Sequence, residues 1–105
     1  MTNLGFGFIP THPGEVLRDE LKSRNITQRQ FADRLGLQYS VVNEILKCRR
    51  PVSTRTAMMV EAALGIPADS LLQLQLKYDL QVAKEDKSLS ERLGSIVQFP
   101  SPTMA

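Results

Sequence analysis

A chain of 105 residues, 42% of them hydrophobic and 23% charged, can close one modest core but not two, so a single domain is expected. Its formal net charge of +2 decides nothing about partners, and a lone cysteine, Cys48, excludes an intramolecular disulfide and gives no sign of an oxidising compartment. No run approaches the roughly 20 apolar residues a spanning helix needs, and the glycine-broken stretch from Leu4 to Ile9 is too short for a secretory signal, so the expectation is a cytoplasmic protein without a membrane segment.

Residues 1–12 carry Phe6, Phe8, Ile9 and Pro10 with two glycines, lack a helical period and read as an extended N-terminal arm. Its apolar side chains need cover, from its own domain, a second subunit or a partner. His12 has no second metal-type ligand nearby and reads as a structural turn residue. A first helix is predicted to open around Pro13, because proline fits an opening turn, and to stop near Arg24 and Asn25. Glu15, Asp19 and Glu20 suit its N-terminal half, and Val16, Leu17 and Leu21 form its buried stripe. This helix is expected to be scaffold.

The stretch from Thr27 to Leu46, TQRQFADRLGLQYSVVNEIL, predicts two short helices joined by a sharp turn. Thr27 caps the first, and Phe31, Ala32 and Leu35 recur on one face. Gly36 ends it, because glycine takes positive φ without a Cβ penalty and lets the chain reverse. The second helix, starting near Gln38, buries Val42, Ile45 and Leu46 and leaves Gln38, Tyr39, Ser40, Asn43 and Glu44 on the polar side, where a recognition helix presents its reading residues.

Ser53 caps a fourth predicted helix that runs to Leu64, with Ala57, Val60 and Leu64 inward and Gly65 closing it. Met58 and Met59 read as filling core gaps or shallow surface, since thioethers without histidine or cysteine partners make no metal site. A fifth helix is predicted from Ala68–Asp69 to about Lys84, with one apolar row of Leu72, Leu76 and Leu80 beside another of Leu71, Leu74 and Tyr78. So broad a stripe either caps its own core or also packs on another subunit. Residues 86–105 are polar, with prolines at 100 and 102, and predict a poorly ordered tail in which Leu89, Leu93, Ile96 and Val97 could form a short amphipathic turn on a partner.

Charge is distributed unevenly along this layout. Residues 25–56 hold six basic groups against Asp33 and Glu44, whereas residues 57–105 hold four basic and six acidic ones. The positive excess therefore lies on and just after the suspected reading helix, where phosphates would need it.

TQRQFADRLGLQYSVVNEIL resembles the helix-turn-helix of the phage-repressor and Cro class, the XRE family, with Gln28, Ala32, Gly36, Val42 and Ile45 at the family's characteristic positions. The resemblance implies an all-α, five-helix lambda-repressor-like DNA-binding domain over residues 13–85, with the arm at 1–12 and the tail at 86–105. It implies phosphate contact by Gln28 and base reading by Gln38, Tyr39, Ser40 and Glu44. In physical terms, Thr27, Gln28 and the amides of their helix start would grip a phosphate while the second helix lies in the major groove. Gln38 would pair with adenine and Glu44 would accept from cytosine N4, while Ser40 and Tyr39 make polar or methyl contacts, or Tyr39 instead buttresses the sugar-phosphate. Lys47, Arg49 and Arg50 would add sequence-independent attraction to phosphates. Two copies would read half-sites about 34 Å apart in a palindromic operator. The family usually has a glycine where Cys48 stands, so the reading helix is expected to end differently here.

The flanks narrow the resemblance. THPGEVLRDEL at 11–21, TRTAMMVEAALGIP at 54–67 and LLQLQLKYDLQVA at 71–83 resemble the HigA group of antitoxins, with Leu71 where that group often has tryptophan and Lys47–Cys48 where it often has Asn-Gly. This implies a homodimer that binds double-stranded DNA, neutralises a HigB-type mRNA-cleaving toxin and represses its own operon. The alternative is a stand-alone XRE-family repressor without a toxin. A protein-interaction module that has lost DNA binding is a further rival. An enzyme is not expected, because no Ser/His/Asp or Cys/His set, phosphate loop or metal spacing occurs; no cofactor and no small-molecule substrate are implied either.

Overall fold

A computed structural model describes residues 10–102, and within them the chain is all-helical: α1 (Pro13–Ser23), α2 (Gln28–Leu35), α3 (Tyr39–Leu46), α4 (Thr54–Leu64), α5 (Ala68–Lys84) and α6 (Lys87–Gly94). The expected count of five becomes six among the described residues. None of the helices is long and apolar enough to cross a membrane. Residues 1–9, most of the expected arm, lie outside the described residues.

Local chemistry sets most of the boundaries. Pro13 opens α1, and the His12 ring accepts the Gly14 amide hydrogen through Nδ1 at 2.8 Å. His12 is therefore more than a turn residue: it is an N-cap, only 2% exposed, with its ring edge-on to Tyr78 of α5 at 4.8 Å between centroids. Thr27 and Gln30 form a reciprocal capping box at α2, which ends at Gly36 with φ 73°. Ser53 accepts from the Thr56 amide to start α4, and Gly65 closes that helix at φ 79°.

These helices wrap one core of Leu17, Leu21, Phe31, Ala32, Val42, Ile45, Leu46, Val52, Ala57, Val60, Leu64 and Leu71. Of the two rows expected on α5, the one containing Leu71, Leu74 and Tyr78 faces inward. The other turns outward beyond Leu72, leaving Leu76 and Leu80 more than half exposed. Between them Gln75 is buried, because its Oε1 accepts from the Val52 amide at 2.8 Å while its Nε2 donates to Asp79. That bond satisfies a main-chain donor in the loop after α3 that would otherwise be buried without a partner.

Where a poorly ordered tail is expected, residues 87–94 instead form α6. Asp86 accepts from the Leu89 amide at 3.2 Å, and the first proline comes only at position 100, so nothing interrupts the turn that this cap starts. The thin apolar content still tells: no residue of α6 is buried, and Leu93, Ile96, Val97 and Phe99 are exposed.

Candidate nucleic-acid interface

The helix pair α2–α3 is pinned from behind by α1. A Cβ at Gly14 would collide with the Ile45 carbonyl oxygen, so the absence of a side chain lets the start of α1 approach the last turn of α3. One helical turn on, the Arg18 guanidinium donates to the Leu46 carbonyl at 2.9 Å, satisfying one of the acceptors that a helix C-terminus leaves open. Val42, Ile45 and Leu46 are buried by this arrangement, and the opposite edge of α3 is outward.

Cys48 corrects the expectation that α3 would end differently from its family. It adopts φ 62°, the left-handed conformation a glycine would take, and the Arg49 amide reaches back to the Glu44 carbonyl at 2.9 Å. The α3 end is thus the ordinary left-handed stop, held at some steric cost. Burial and the Glu15 charge push the Cys48 thiol up from its ordinary range, against the opposing effects of Arg18 and a hydrogen bond from the Glu15 backbone.

Of the residues expected to read bases, Gln38, Tyr39 and Ser40 are exposed at the α3 start, and Asn43 and Glu44 are half-buried one turn later. Gln38 occupies the N-cap position without making a side-chain cap bond, so the first turn of α3 is open. Tyr39 lies beneath the Arg29 guanidinium, 4.8 Å from its ring centroid. Arg29 was counted only in the local charge excess; its position two residues into α2 is the sequence feature that could have singled it out.

Three of the five expected phosphate-binding residues, Thr27, Gln28 and Arg50, have side-chain partners within the chain. Thr27 is engaged in the capping box, which consumes its own amide and that of Gln30 and leaves the Gln28 and Arg29 amides at the helix start. The Gln28 Oε1 accepts from Asn43 Nδ2 at 2.9 Å, joining a residue of α2 expected to bind phosphate to one of α3 expected to read a base. The Gln28 Nε2 keeps its donors. Lys47 and Arg49 are exposed in the loop, whereas Arg50 donates through Nε and a terminal nitrogen to Glu44 Oε1, at 2.9 and 2.7 Å. Arg50, expected to act with Lys47 and Arg49 on phosphates, is thus paired to a carboxylate of α3.

A helix-turn-helix family model, HTH_3, matches residues 17–71, a span running from α1 into the start of α5. Virulence-associated protein I of Dichelobacter nodosus is 38% identical over 77 residues, covering 72% of this chain and 71% of that protein. Among solved structures, the antitoxin GraA in complex with its operator superposes with a TM-score of 0.78 at 32% identity, covering 91% of this chain and 97% of that one. The Pseudomonas aeruginosa antitoxin HigA with the higBA promoter gives a TM-score of 0.76 at 28% identity, covering 87% of this chain and 99% of that one. Placed on the geometry of α2 and α3, these matches show that the chain belongs to the helix-turn-helix family HTH_3, of the XRE type.

Proposed function

We propose that the chain is a homodimeric antitoxin that reads a palindromic operator through α3, represses its own operon and neutralises a HigB-type mRNA-cleaving toxin. The observation carrying the DNA-reading part is the form of α3. Its apolar face is locked onto α1, its first turn has no side-chain cap, Gln38, Tyr39 and Ser40 stand outward there with Arg29 over the Tyr39 ring, and the basic loop of Lys47, Arg49 and Arg50 follows the other end of the helix. An outward helix with cations at both of its ends suits a phosphate-lined groove. In this reading Gln38, Tyr39, Ser40, Asn43 and Glu44 address base edges, while Thr27, Gln28, Lys47 and Arg49 address the backbone.

The likeness to two antitoxins solved with operator or promoter DNA supports the same reading. For the dimer, Leu76 and Leu80 supply an apolar strip on α5 one turn apart. Gel shift against the protein's own promoter region tests the DNA part: Gln38→Ala and Ser40→Ala should each weaken specific binding, and no shift even at low salt would reject it. Co-purification with the product of an adjacent toxin-like reading frame tests the toxin part. Rescue of growth on co-expression is expected, and binding of DNA without any such rescue would leave a stand-alone repressor.

A further inference from the structure

Glu44 is the only acidic residue between Asp33 and Glu61, in a stretch that also holds Arg34, Lys47, Arg49, Arg50 and Arg55. A carboxylate on the reading edge of a DNA-binding helix is repelled by phosphates unless a cation accompanies it. Arg50 is that cation, and the loop delivers it. The left-handed turn at Cys48 folds the chain back so that the Arg49 amide meets the Glu44 carbonyl, which brings the Arg50 side chain beside the Glu44 carboxylate six residues after it.

The manner of pairing matters. Both Arg50 donors go to the same oxygen, Oε1, and no bond to Oε2 accompanies them. A carboxylate can accept on both oxygens, so Oε2 keeps its acceptor capacity while the charge of the group is balanced. In the major groove, guanine offers acceptors, thymine an acceptor and a methyl group, and adenine an amino group next to its N7 acceptor. Cytosine alone offers an amino donor without an adjoining acceptor. A fixed, charge-balanced carboxylate therefore selects cytosine.

We infer that Arg50 is a specificity-determining positioning residue: it holds Glu44 as a neutralised acceptor for cytosine N4 instead of serving as one more phosphate cation. The inference rests on the proposed DNA-reading role of α3. It makes Glu44 depend on Arg50 in sign as well as size. With Arg50 present, Glu44 assists binding; without it, Glu44 is a bare carboxylate facing phosphates.

The test is a double-mutant cycle in gel shift, on duplexes that the wild-type protein selects from a random-sequence pool. Wild type, Glu44→Ala, Arg50→Ala and the double variant are compared, with Arg49→Ala as the control for loss of a loop cation. Glu44→Ala should weaken binding to the selected site about fivefold to tenfold and remove the penalty for replacing one cytosine. In the Arg50→Ala background the same Glu44→Ala change should instead tighten binding. Equal effects of Glu44→Ala in both backgrounds would overturn the inference while Gln38-dependent binding kept the DNA-reading role intact. Failure of the wild type to select any sequence would overturn both. Circular dichroism of each variant checks that the substitutions leave the helices formed.

Discussion

The Asn43 side-chain amide donates to Gln28 Oε1 at 2.9 Å, so the first residue of α2 is tied to the middle of α3 across the turn that separates them. The bond fixes the Gln28 amide so that its nitrogen, not its oxygen, is left to donate outward. Gln28→Glu should separate the two jobs. The carboxylate still accepts from Asn43, so the melting temperature should hold, but it presents negative charge where the proposal puts a phosphate, and operator affinity should fall about tenfold or more. Gln28→Ala should lose both, with a stability cost of about 1 kcal/mol. Thermal melts paired with gel shifts read the two effects, and a Gln28→Glu protein that binds DNA as well as wild type would remove Gln28 from the phosphate-binding set.

Gly14→Ala should destabilise the domain by about 1–3 kcal/mol, because the new methyl group meets a main-chain carbonyl, which has no rotamer by which to move aside. Urea denaturation followed by circular dichroism measures this. An unchanged midpoint would mean that α1 and α3 can separate freely, contrary to the close approach described above.

Cys48→Gly should raise stability by about 1 kcal/mol, since the residue already holds φ 62°, where glycine has no Cβ penalty. The gain is reduced by the loss of a half-buried thiol. A lower melting temperature for the glycine variant would show that thiol packing outweighs backbone strain at this turn.

His12 predicts how stability responds to acid. Burial holds its pKa below the ordinary 6.5, against the opposing pull of Asp79 and Glu15. The unfolded chain therefore takes up a proton before the folded one does, so the stabilisation is complete above pH 6.5 and is lost as pH falls through the lower folded value. Protonation also removes the Nδ1 acceptor that holds the Gly14 amide. Urea midpoints should fall between neutral and mildly acidic pH, and His12→Asn, which retains an N-cap acceptor, should flatten that fall. An equal fall in both proteins would assign the effect to other groups.

Punctuation by single residues was legible in the sequence. Thr27, Gly36, Ser53 and Gly65 act through their own backbone or the next turn, and each stands where its local chemistry predicts. The partition of α3 into a buried and a polar edge was legible for the same reason, since a 3.6-residue period needs no knowledge of the partner. What stayed hidden depends on segments meeting. Gly14 reads as part of an ordinary turn until the Ile45 carbonyl is beside it, and Gln75 reads as a polar gap in an apolar row until the Val52 amide is seen to need it. The pairing of Arg50 with Glu44 requires the path of the loop, which in turn depends on a cysteine accepting a glycine's conformation. The helix at Lys87–Gly94 does not follow from the polar composition, which points to a tail; the local feature that starts it is the Asp86 side chain accepting from the Leu89 amide.

The way α3 is fastened has a consequence for retargeting. Every main-chain tether to α1 lies at its far end, at Ile45 and Leu46, and nothing clamps the side chains of Gln38 and Ser40. Those two positions can be exchanged without disturbing any neighbour that holds the domain together. Under the proposed base-reading role of α3, a designer, or a lineage under selection, could thus alter the preferred operator letter by letter while inheriting the chassis unchanged.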